Sequence, residues 1–186
     1  MGRLPVEKDE GLRMRHTKPA WGVKASAKTA ALGLALVLGL AACKPEEAGR
    51  AGAKAPDLAA LTLEGTPTSL RDHAGRVVVV NFWLGGCAPC LTEMPALEAF
   101  HRGWADKGVD LMAINVGGNA QIVRKAITDV DATFPFLVDE LSLTASRYEV
   151  AVFPTTLVID RQGIVRARFA GEMKDQVLAQ AVLPLL

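Results

Sequence analysis

The chain has 186 residues, half of them hydrophobic and three of them Cys, with a formal net charge of +1. That length suits one globular domain plus an extension, and the composition excludes disordered, collagen-like and disulfide-dense classes. Residues 1–42 hold seven Lys/Arg against three Asp/Glu and residues 43–186 fourteen against seventeen, so a basic leader precedes a mildly acidic body; this fits export and gives no basic stripe for nucleic acid.

Ala30–Ala42 is an unbroken run of Ala, Leu, Gly and Val. It is shorter than the roughly 17–25 residues that cross a bilayer. Its length and the preceding Lys18, Lys24 and Lys28 match the apolar region of a signal peptide, with Met14 as an alternative start. The run ends Leu40-Ala41-Ala42-Cys43, which resembles the lipobox of bacterial lipoproteins. There the Cys thiol is acylated and the peptide before it removed; an ordinary secretory signal is the plainer alternative. The resemblance implies that a lipid on Cys43 holds the protein on a membrane. Residues 43–57 are small and charged without apolar period, as in a flexible tether, so the folded part is expected over 58–186.

Leu58–Leu70 carries two short alternating stretches around Glu64-Gly65, the pattern of a β-hairpin. Val77–Phe82 is a continuous β-branched run, as in a central strand covered on both faces. Leu91–Lys107 has helical periodicity, with Gly108 as its stop. A strand over Val109–Val116 follows, then a helix over Gln121–Val130, a short strand at Phe136–Val138 and a short helix at Ser142–Tyr148. Thr155–Asp160 and Ile164–Ala170 flank the turn Arg161-Gln162-Gly163 as a second hairpin, and Asp175–Leu183 closes the chain as a helix. This order predicts an α/β fold, a central mixed sheet with helices on both faces and an N-terminal hairpin extension.

Cys87-Ala88-Pro89-Cys90 lies between the central strand and the helix that follows it. Two sulfurs one helical turn apart are close enough to bond. The first sits where free backbone N–H groups and the helix dipole favour a thiolate. Pro89 is tolerated in the first turn because its missing N–H has no helical partner there. Cys87 is thus the candidate nucleophile and Cys90 the resolving thiol. The same motif is half of a zinc site or the ends of a structural disulfide. Zinc needs four ligands, however, and neither a second CxxC nor a metal-like spacing of His16, His73 and His101 is present. A placement between strand and helix favours redox chemistry over a structural bridge.

The segment from Asn81 to Pro95, NFWLGGCAPCLTEMP, resembles the TlpA/ResA-type thioredoxin family, whose pattern reads NFWAxWCxPCxxExP. Ala55-Pro56-Asp57, Leu70–Gly75, Pro135–Asp139 and Phe153-Pro154-Thr155-Thr156 extend the likeness in order along the chain. The resemblance implies a thioredoxin-like fold and a thiol–disulfide oxidoreductase. It needs no cofactor beyond the Cys87–Cys90 pair and no metal. It also implies that Pro154 is cis and faces the Cys pair, that Phe153 beside it can line up a substrate strand, and that Glu93 accepts the proton of Cys90. Asn81 stands where thioredoxin itself has a buried Asp, which puts more weight on Glu93. Trp83 and Gly86 flank the site. Gly86 replaces the family's Trp and leaves Cys87 less shielded, and Val152 replaces a common Gly. Both changes fall on the substrate-facing surface. The family reading implies reduction of protein disulfides in the cell envelope, for instance on cytochrome c precursors, with re-reduction by a membrane thiol carrier. An oxidase of the same fold, a thiol peroxidase, a copper-binding assembly factor and a non-catalytic partner-binding lipoprotein are the alternatives.

Overall fold

The computed structural model describes residues 49–186; the apolar run at 30–42, Met14, His16 and Cys43 lie outside them. The strands are β1 (Ala60–Thr62), β2 (Pro67–Thr68), β3 (Val77–Trp83), β4 (Val109–Val116), β5 (Phe136–Asp139), β6 (Thr155–Ile159) and β7 (Val165–Ala170). The α-helices are α1 (Ala88–Trp104), α2 (Ala120–Ala126), α3 (Leu143–Arg147) and α4 (Asp175–Val182). The seven strands form one sheet in the order β2-β1-β5-β4-β3-β6-β7. β3, β4 and β5 run parallel, and every other pairing is antiparallel. The sheet is therefore mixed, as expected.

All seven residues of β3 are buried, which explains its lack of alternation: both faces are covered. On one face Val77, Val79 and Trp83 pack with Met94, Leu97 and Phe100 of α1, Val123 of α2 and Leu178 of α4. On the other, Val78, Val80 and Phe82 meet Ala145 of α3, Tyr148 and the N-terminal Leu58 and Ala60. The first hairpin forms around Gly65, which takes φ 87° at the turn, and β1 also pairs with β5 to widen the sheet.

Three boundaries differ from expectation. The helix opens within the Cys motif at Ala88, as expected, but where it was expected to continue to Lys107 its last three residues tighten into a 3-10 turn that ends on left-handed Gly108. α2 stops at Ala126 instead of Val130, because β-branched Ile127 and Thr128 are weak helix formers. The tether expected to run to Asp57 is the third correction. Gly52 N–H donates to Val165 O at 2.8 Å and Ala55 N–H to Gly163 O at 2.8 Å, while Val165 N–H returns to Ala53 O at 2.9 Å. Residues 52–55 thus form a strap on the β6–β7 hairpin, and the folded part begins before Leu58. Among the described residues no helix is long and apolar enough to cross a membrane.

Candidate active site

The C-terminal ends of the parallel strands gather at one pole of the sheet. There β3 gives way to the loop Leu84-Gly85-Gly86 and then to α1. Cys87 is the N-cap of α1, in extended conformation, and its Sγ accepts the backbone N–H of Cys90 at 3.3 Å. Cys87 and Cys90 are disulfide-bonded, with Cα atoms 5.3 Å apart. Their exposures differ: Cys87 is half-buried and Cys90 fully buried. An incoming sulfur therefore meets Cys87 first. Gly86 is exposed, and nothing stands within 4 Å of where a Cβ would project. At Gly85, by contrast, a Cβ would lie 3.1 Å from Ile122 Cγ2. The gap beside the nucleophile is at Gly86 alone.

The Phe153–Pro154 peptide bond is cis. Pro154 is buried, its carbonyl accepting from Gly171 N–H at 2.8 Å, and Phe153 is half-buried against both cores. Val152, just before them, is half exposed.

One helical turn beyond Cys90, Glu93 is fully buried on the inner side of α1. Asn81 Nδ2 donates to its Oε1 at 2.6 Å, and the Met173 backbone N–H donates to its Oε2 at 3.1 Å. Burial pushes its carboxyl up to about 7, against the pull of these two donors, and the nearby Glu172 charge adds to the rise. Asn81 also donates to Thr156 Oγ1 at 2.9 Å. A carboxyl that titrates near neutrality, one turn from a buried thiol, suits acid–base exchange.

Trp83, expected to flank the site, does so from within the core and does not reach the surface where substrate would bind. It ends the covered strand, is fully buried, and sets its ring edge-on to Phe136 with centroids 5.9 Å apart. It supports the site from beneath. His73 lies at the other end of the sheet, where its Nδ1 pairs with Asp110 Oδ2 at 2.7 Å beside Arg76. His101 packs edge-on to Phe134. Among the described residues no group of three His, Cys, Asp or Glu is placed to hold a metal. Two residues around Glu93 were missed in the sequence: Thr156, which accepts from Asn81, and Met173, whose N–H donates to Glu93. Thr156 reaches the site through the β3–β6 register that sets Asn81 opposite it, and two residues after Pro154 was the only hint. Met173 arrives from a loop 80 positions downstream with no sequence signal.

Residues 50–183 match the model of the Redoxin family. The Thioredoxin-like protein YneN of Bacillus subtilis is 36% identical over 132 residues, covering 69% of this chain and 76% of that protein. The thiol-disulfide oxidoreductase ResA of Geobacillus thermodenitrificans is 34% identical over 129 residues, covering 69% of this chain and 74% of its own. Among solved structures, a secreted thiol-disulfide isomerase from Corynebacterium glutamicum superposes with a TM-score of 0.64 at 29% identity, over 70% of this chain and 83% of that one.

Proposed function

The chain belongs to the Redoxin family, among its ResA-like thiol–disulfide oxidoreductases, and we propose that it works as a reductase of protein disulfides on the outer side of a bacterial membrane. Dithiol exchange through Cys87 and Cys90 is the chemistry of that family, and the two sulfurs stand at bonding distance. The observation that carries the proposed division of labour is the asymmetry of the pair: a half-exposed Cys87 capping a helix, and a fully buried Cys90 one turn from a buried acid.

In the reduced protein Cys87 is the thiolate, held by the Cys90 N–H and the start of α1. It attacks one sulfur of a substrate disulfide, and the other substrate sulfur leaves as thiolate. The substrate backbone lies along Phe153 and cis-Pro154, and the open side at Gly86 admits its bulk. Cys90 then gives its proton to the Glu93 carboxylate and attacks Cys87 Sγ. The second substrate sulfur leaves and the Cys87–Cys90 disulfide forms. Two electrons have passed to the substrate. A membrane dithiol protein returns them, taking up the disulfide in its place. Cys43, lipid-modified, holds the enzyme at that membrane; substrates include cysteine pairs of the envelope, such as those of cytochrome c precursors.

Two measurements test the reading. Alkylation of the reduced protein against pH is expected to give Cys87 a pKa about 1–5 units below the free-cysteine value of ~8.5. Equilibration with glutathione is expected to give a potential more reducing than the roughly −180 mV of protein disulfide isomerase. Ordinary reactivity at Cys87 would remove the assigned nucleophile, and a potential near −120 mV, as in DsbA, would make the protein an oxidase.

A further inference from the structure

The partners of Glu93 are of two kinds. Its Oε2 faces the Met173 N–H, a backbone donor that can do nothing else. Its Oε1 faces Asn81 Nδ2, one end of an amide whose other end, Oδ1, is buried and has no hydrogen-bond partner. The second hydrogen of Nδ2 goes to Thr156 Oγ1, a hydroxyl that donates as readily as it accepts. Asn81 and Thr156 are both fully buried, at 0% accessibility each. The arrangement suits a carboxylate, because both oxygens receive N–H groups. Once Glu93 carries a proton, its O–H needs an acceptor, and Met173 offers none.

We propose that Asn81 is a positioning residue that turns its side-chain amide over each time Glu93 gains or loses a proton. A half-turn about its last torsion exchanges Nδ2 and Oδ1 without changing the space the group fills. Oδ1 then accepts the Glu93 O–H and the Thr156 O–H together, and the proton rests on Oε1, the side with the reversible partner. Returning the proton reverses the turn. The acid is thus bonded in both states, while the two Nδ2 hydrogens take the place of Oδ1, where no partner stands, and their unpaired burial drives the amide back once the proton leaves. Asp at this position would add a second acid, and Leu would bond neither state. The other charged group acting on Glu93 is Glu172, from the loop that also supplies Met173; Cys90 lies on its own helix, and β3 and β6 contribute only the neutral Asn81 and Thr156. Burial sets the Glu93 midpoint at about 7, and the turn is expected to follow that midpoint.

The inference rests on Glu93 being the base for Cys90, and the test separates the two. In the full-length protein labelled with nitrogen-15, the Asn81 side-chain amide resonances are expected to move between pH 5 and 9 with the midpoint of Glu93, and to stop moving in Glu93→Gln. Amide resonances that stay fixed while Glu93 titrates would overturn the proposal, and this needs no variant of Asn81. In single-turnover release of a mixed disulfide at pH 7, Asn81→Leu is expected to lose about tenfold, as for a midpoint raised by one pKa unit, and to add no loss in the Glu93→Gln background. If Glu93→Gln is slow while Asn81→Leu keeps the wild-type rate and pH profile, Asn81 has no such role. If Glu93→Gln itself releases at the wild-type rate, the assignment of Glu93 fails, and with it the use for the turn.

Discussion

Glu93 is an acid kept where water does not reach, and that placement has a thermodynamic cost. Its carboxyl titrates at about 7 in the folded protein against 4.5 for an ordinary glutamate. The folded state therefore holds a proton that the unfolded chain releases first. Below pH 4.5 both states are protonated and the group costs nothing through ionisation. As pH rises from there to 7 the unfolded chain gains by ionising, and stability falls by on the order of 3 kcal/mol. Glu93→Gln keeps the shape and removes the ionisation. The oxidised variant is expected to match the wild type near pH 4.5 and to exceed it by about that amount at pH 8, in urea unfolding at the two pH values. Equal stability at pH 8 would mean that water reaches the carboxyl. A gain in stability with a loss of proton transfer is the usual exchange at a functional acid.

At the scale of elements, the strap over 52–55 shows where sequence reading stops. Glu93 and Pro154 were singled out only by the family resemblance, whereas the CxxC is legible because its chemistry is local. So are the elements of the sheet, whose apolar runs announce them. The strap has small and charged side chains and no apolar period, because its bonds are made by backbone groups that every residue carries. The same limit hid Thr156, which strand register brings to Asn81, and Met173, which loop closure brings to Glu93. Only Gly49 leaves a trace of the packing: its φ is 81°, and a Cβ there would lie 2.8 Å from Tyr148 O. Arg168 fastens this end, its guanidinium donating to Gly49 O at 3.2 Å, Tyr148 O at 2.7 Å and Glu149 O at 2.9 Å. Arg168→Met keeps the stem and removes the donors. It is expected to cost about 1–3 kcal/mol and to speed hydrogen exchange at the Gly52, Ala55 and Val165 amides by more than tenfold. Unchanged exchange at those amides would show that the strap holds without its clasp.

For the whole molecule, the reaction and the proposed anchor belong to separate stretches of the sequence. Every group assigned to the chemistry lies between Asn81 and Met173, gathered by β3, α1, the turn before β6 and the loop after β7. The proposed lipid site at Cys43 precedes all of them, outside the described residues. Loss of the anchor is therefore expected to leave the chemistry intact and to change only which partners the enzyme meets. Purified Cys43→Ser protein should reduce insulin at the wild-type rate per molecule, because every residue assigned to the chemistry is unchanged. In cells the same variant should leave the membrane fraction and accumulate as the Cys87–Cys90 disulfide, since the proposed electron donor is a dithiol fixed in the membrane and encounter falls when one partner diffuses away. Thiol trapping with a mass-shifting reagent reads that redox state directly. A released variant that stays as reduced as the wild type would place the electron donor in solution, and a variant that stays with the membrane would remove the lipid from Cys43.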